Sequence, residues 1–167
     1  MPSDFLVFAS VWFTGCHLFA ATSDAVRMRI PNPLILFLLA GYAVSVMLVR
    51  PEWTSVASNV ATGFAVLLGG MLVFARGWMG GGDVKLLAVS GLWLGPVATP
   101  ALLVLTALAG GVLTLVVLAC RALGAHRLGG SRITGLHDPN GRVPYGIAIA
   151  TAAIAVAFLR PDVLVSG

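Results

Sequence analysis

Six runs of apolar residues, at 5–22, 33–49, 56–75, 84–99, 101–120 and 143–159, occupy about two-thirds of the 167-residue chain. Each is close to the ~17–25 residues with which an α-helix spans a bilayer. Inside hydrocarbon every backbone N–H and C=O needs a protein partner, which leaves helices or a closed barrel. The runs lack the polar–apolar alternation of barrel strands. The pattern therefore predicts an all-α, polytopic membrane protein, a bundle of six transmembrane helices, with residues 1–167 forming a single membrane-embedded domain. The fourth and fifth runs are the most crowded, because Pro96 and Pro100 fall within them. A tight hairpin turning at 94–100 accommodates both prolines, whereas one long helix would have to run through them.

Composition narrows the function classes. Charged residues make up 10% of the chain, against about 25% in a soluble domain, which excludes a water-facing enzyme, a disordered chain and a coiled coil. The net charge of +4 comes without a basic run, so no nucleic-acid partner is expected. Cys16 and Cys120 form no CxxC pair, and neither a metal nor another cofactor is expected. Met1-Pro2-Ser3-Asp4 lacks a basic n-region, so the first run reads as a retained span. The first, third and fifth connections carry eight cations (Arg27, Arg29, Arg76, Lys85, Arg121, Arg127, Arg132, Arg142) and the opposite side carries two, Arg50 and Arg160. The positive-inside rule then places those connections in the cytoplasm and both termini outside.

Of the six carboxylates, Asp4, Glu52 and Asp162 fall on the outer side and Asp138 in the connection 121–142, which reads as a mobile loop. Asp24 and Asp83 stand apart. One closes the first helix and the other opens the fourth, so both lie at the same depth on the cytoplasmic side. Asp83 after Gly80-Gly81-Gly82 reads either as an ordinary N-cap or as a reactive group. Asp24 reads either as a partner of Arg27 or as a functional carboxylate, since a negative charge at a helix C-terminus opposes the macrodipole. Two adjacent carboxylates share one proton, so that one acts as general base on water while the other polarises a carbonyl. No serine or cysteine has an evident histidine partner at matching depth, and neither GxSxG nor HExxH occurs.

Gly80-Gly81-Gly82-Asp83 with Val84-Lys85-Leu86-Leu87-Ala88 resembles the GxGD motif of type IV prepilin peptidases and its D-x-K-L continuation. Asp24 with Arg29-Ile30-Pro31-Asn32 resembles the family's first aspartate and its R-x-P-N element, and Val143-Pro144-Tyr145-Gly146 resembles the P-[FY]-G element of the last span. The resemblance implies a membrane aspartic endopeptidase with Asp24 and Asp83 as catalytic pair. Its substrates would be type IV prepilins or pseudopilins, cut at the basic leader on the cytoplasmic face of the inner membrane. Gly80, Gly82 and Lys85 are the expected substrate-binding residues. Residues 1–167 carry no paired CxxC motif, so the N-terminal methyltransferase region of the long form is not expected, and the resemblance is to the short branch serving tight-adherence (Flp-type) pili or to the archaeal preflagellin peptidases.

Other residues admit two readings each. His17, seven residues before Asp24 on the same face, either tunes the aspartate or bonds another helix. Lys85 orients a substrate or snorkels at the interface. Ser58, Asn59 and Thr62 read as packing groups, and Gly69-Gly70 and Gly110-Gly111 as close helix contacts. His126, His137 and Asp138 are too scattered for a metal site. The alternatives to a peptidase are a small proton-coupled transporter or ion-conducting membrane subunit using the two aspartates, and a structural scaffold in which they are caps.

Overall fold

The computed structural model describes residues 3–122, 143–160 and Leu164. Among these residues the chain is entirely helical apart from connections: α1 (Ser3–Arg27), α2 (Asn32–Val49), α3 (Trp53–Ala75), α4 (Gly81–Ala122) and α5 (Tyr145–Leu159). The expectations for residues 123–142, including His126, His137 and Asp138, lie outside the described residues. The helices α2, α3 and α4 are long and apolar enough to cross a membrane.

Among the described residues there are five helices, not the six expected, and the reason is local. The fourth and fifth runs form one helical element of 42 residues, interrupted by Gly95 alone at φ 68°, ψ −179°. That conformation is open to glycine and costly to other residues, and a Cβ there would also collide with Asn59 Oδ1 at 2.5 Å. Pro96 follows as the first helical residue, where its missing N–H costs nothing. The interruption reverses the chain. Asp83 lines a cavity together with Tyr145, and a Cβ on Gly110 would lie 2.8 Å from the Tyr145 ring. In a straight helix Asp83 and Gly110 would stand about 40 Å apart, so the two arms of α4 must run back alongside one another. At the bend, Thr99 Oγ1 donates to the Gly95 carbonyl at 2.6 Å and reaches the Gly91 carbonyl at 3.4 Å.

Glycines set the close approaches between neighbours. Cβ atoms on Gly70 and Gly63 would meet Val84 and Leu92 at 2.6 and 3.1 Å, which seats α3 antiparallel on the first arm of α4. One member of each glycine pair makes such a contact, Gly70 and Gly110, while Gly69 and Gly111 face open space. In α2 the buried positions are Leu34, Ile35, Leu38, Gly41 and Ser45, a single stripe at helical period. The opposite face leaves Leu36 65% and Met47 74% exposed, a cost in water that disappears against lipid. The interior is centred on Phe13, Leu38, Leu86, Trp93 and Ile149. Trp93 donates its indole N–H to the Leu38 carbonyl at 3.1 Å and packs its ring 5.6 Å from that of Phe13. Asn59 is buried as a packing group, 1% exposed.

Candidate active site

The first carboxylate is positioned by two helix ends. The last turn of α1 holds Asp24, and the helix stops where Met28 takes a left-handed conformation, φ 52°, while donating its N–H to the Asp24 carbonyl at 2.9 Å. The side chain, 5% exposed, turns to the start of α5. There Pro144 occupies the N-cap position, and the backbone N–H of Gly146 is among those a helix cannot satisfy internally. It donates to Asp24 Oδ2 at 2.7 Å. The unfavourable dipole of α1 is thus met by the favourable dipole of α5. A side chain at 146 would not fit, since a Cβ would lie 2.8–2.9 Å from Asp24 Oδ2, Cγ and Cβ.

Burial nevertheless dominates the protonation of Asp24, which lies beyond the apolar run 5–22. Desolvation raises its carboxyl above the usual carboxylate range, and the Gly146 N–H pulls it back only in part. The magnitudes explain the order. Taking a carboxylate out of water costs several kcal/mol after relaxation, against about 1.5–3 kcal/mol for a hydrogen bond to a charged group and about 0.3–1 kcal/mol for a helix terminus.

The second carboxylate follows a tightly specified loop. At the end of α3, Gly77 (φ 74°) donates to the Phe74 carbonyl at 2.8 Å and Trp78 to the Val73 carbonyl at 3.2 Å, a Schellman motif. The helix α4 then begins at Gly81, so Asp83 is its third residue rather than its N-cap. Asp83 Oδ2 reaches back to accept the Gly80 N–H at 3.2 Å, the N3 half of a capping box. Asp24 and Asp83 line one open cavity of about 340 Å³, bordered by Met28, Phe74, Trp78 and Tyr145 and by the backbone of residues 77–81. They are near enough for the charge of one to act on the other.

The remaining expected residues divide. Gly80 lines the cavity, and a Cβ on it would stand 2.8 Å from Asp83 Oδ2. Gly82 packs behind the cavity, where a Cβ would meet Ile30 Cβ at 3.2 Å. Lys85 points elsewhere: its Nζ donates to Asn32 Oδ1 at 3.0 Å and borders an apolar groove shared by α2, α3 and α4. His17 bonds a second helix, through Nε2 to Ser90 Oγ at 2.8 Å. A serine with a histidine partner is therefore present, contrary to the sequence expectation. Ser90 is 0% exposed, so no substrate reaches it, and the pair cannot serve as a nucleophile and base. Among the described residues no three histidine, cysteine, aspartate or glutamate side chains gather as metal ligands.

Gly146 and Tyr145 were not among the site residues expected from sequence. The Val143-Pro144-Tyr145-Gly146 element carried the signal, a proline immediately before an apolar helix. Its donor role toward a carboxylate 122 positions away is spatial and has no sequence signature.

A protein of Bacillus subtilis (strain 168) described as "Prepilin leader peptidase/N-methyltransferase" is 28% identical over 162 residues, covering 96% of this chain and 58% of its own length. The chain thus spans little more than half of that curated relative. No solved structure matches. The model of the type IV leader peptidase family matches residues 11–115, which include α2, α3, most of α1 and Asp24 and Asp83. The chain belongs to the type IV leader peptidase family.

Proposed function

We propose that this chain is a membrane aspartic endopeptidase that removes the basic leader of Flp-type prepilins or pseudopilins, and that residues 1–167 act as one membrane-embedded peptidase domain. The observation that carries the reading is the placement of Asp24 and Asp83 on one open cavity, each carboxylate held by a backbone N–H from a helix start. Two carboxylates so close do not both ionise readily, and one proton is shared. The ionised member takes a proton from water. The protonated member hydrogen-bonds the scissile carbonyl oxygen, which gains negative charge as water adds. Collapse of the tetrahedral species returns a proton to the departing amine. Phe74, Trp78 and Tyr145 border the cavity with apolar and aromatic surface, suited to an extended chain entering beside the carboxylates.

Each arm of α4 crosses the membrane in this reading, giving six crossings, with the cavity at the cytoplasmic face of the inner membrane. The eight-to-two distribution of cations supports that orientation. The test is co-expression with a basic-leader precursor, following its shortening on gels and the new N-terminus by mass spectrometry. Asp24→Asn and Asp83→Asn should each abolish shortening while the protein still reaches the membrane. Near-normal cleavage by Asp83→Asn would reduce that residue to a structural cap.

A further inference from the structure

The bond between His17 and Ser90 stands at a telling distance from the carboxylates. His17 is seven residues before Asp24 on α1, and Ser90 is seven residues after Asp83 on α4. Seven residues make two helical turns less about 20°, and about 10.5 Å of rise. Each partner therefore lies on the same face of its helix as the aspartate, two turns deeper. α1 runs toward the cavity and the first arm of α4 runs away from it, so equal steps along each reach equal depth. Between the two levels lie Ala20 and Leu86, both 0% exposed. One turn beyond the bond, the rings of Phe13 and Trp93 meet at 5.6 Å. The His17–Ser90 bond and the Phe13–Trp93 ring contact are two rungs joining the helices that carry the carboxylates.

The His17–Ser90 rung is the directional one. His17 Nδ1 stands 2.8 Å from the Phe13 carbonyl, which can only accept, so that nitrogen carries a proton. Nε2 is then an acceptor, 2.8 Å from Ser90 Oγ. The one hydroxyl hydrogen of Ser90 is shared between Nε2 and the Leu86 carbonyl of its own helix, also 2.8 Å away. Both side chains are fully buried and no water competes for the bond. Apolar rungs tolerate sliding and rotation, whereas a hydrogen bond tolerates little of either.

We propose that His17 and Ser90 are positioning residues: their bond fixes the register and rotation of α1 against α4 and so sets the separation of Asp24 and Asp83. The inference rests on the aspartic reading above for its catalytic consequence, but not for its geometric one. Slippage of about 1 Å at a reacting centre costs on the order of 100-fold in rate. Ser90→Ala should lower kcat about 10- to 100-fold with KM within about twofold, and Ser90→Thr, which keeps the hydroxyl, should restore it. His17→Phe combined with Ser90→Ala removes the bond without leaving a buried polar atom unpaired. It should keep wild-type membrane levels and thermal stability and still lose kcat.

A second readout needs no activity. In a full-length chain carrying Cys16→Ala and Cys120→Ser, Asp24→Cys and Asp83→Cys are bridged by a short thiol-reactive cross-linker. Ser90→Ala should reduce bridging at least threefold, and Ser90→Thr should return it. Wild-type kcat in the Ser90→Ala and double variants, or unchanged bridging, overturns the proposal. Active Asp24→Asn and Asp83→Asn enzymes would instead sink the aspartic reading, and the bridging result would still decide whether the bond sets the distance.

Discussion

Gly146→Ala is the sharpest single perturbation of the proposed site, because the residue touches Asp24 through backbone alone. The added methyl would lie 2.8, 2.9 and 2.9 Å from Asp24 Oδ2, Cβ and Cγ. Ordinary contact begins near 3.4 Å, so the carboxylate must retreat by at least about half an ångström. Retreat is hard in two directions: Asp24 sits in the last turn of α1, and its Oδ2 is tied to the very N–H whose residue now pushes it away. Overpacking of this kind costs about 1–3 kcal/mol of stability, which a membrane bundle tolerates, while a shift of about half an ångström at a reacting group costs about tenfold in rate. Gly146→Ala should therefore cleave precursor about 10- to 100-fold more slowly than wild type at equal membrane levels, with Gly146→Val lower still. Gly69→Ala and Gly111→Ala are the controls. Both sites face open space, so both should be active, and each helix should gain about 0.5–1 kcal/mol from the lost glycine. The assay is the initial rate of leader removal from a purified precursor in detergent. Wild-type rates for Gly146→Ala would refute the claim that Asp24 acts from the position described.

Within the glycine run, Gly81→Ala should be tolerated best, since its Cβ would meet Phe74 at an ordinary 3.5 Å. Gly80→Ala should be worst, because the methyl falls 2.8 Å from Asp83 Oδ2; equal losses at residues 80, 81 and 82 would mean a generic hinge. The pH–rate profile of leader cleavage should be bell-shaped, as for any proton-sharing pair. Its acidic limb should lie above the ordinary carboxylate range, because burial raises Asp24 and the base is lost as pH falls through that raised value; a flat profile on the acid side would argue against a carboxylate base. Lys85→Ala should change cleavage less than threefold, since Lys85 bonds Asn32 outside the cavity; a 100-fold loss would return it to the substrate path.

The parts of this molecule legible in sequence are those governed by period and depth. Apolar run lengths give the helices, and their order puts Asp24 and Asp83 at one level, since each run ends or begins at the same side. The turn in α4 is legible too, from Pro96 and Pro100, but its form is not. Gly95 alone leaves the helical conformation, and only the position of Asn59, whose Oδ1 leaves no room for a Cβ there, shows why that position carries the bend. What period and depth cannot give is the direction of a side chain across helices. Lys85 follows Asp83 by two residues, which on a helix places it about 160° round from the carboxylate rather than beside it, and it meets Asn32 instead.

The same reasoning explains why the glycines of the loop carry different loads. The family resemblance treats Gly80 and Gly82 alike, as substrate-binding residues. In the folded chain Gly80 gives its N–H to Asp83 and has no space for a side chain on the carboxylate side. Gly82 faces Ile30, in the connection that follows α1. Its missing side chain thus lets the segment after Asp24 close on the helix that carries Asp83. Gly146 does the same from α5, by donating to Asp24 without crowding it. Three glycines from one connection and two helix starts thereby bring three chain segments onto one pair of carboxylates. The arrangement is specified by close approach of backbone, which no side-chain pattern reports.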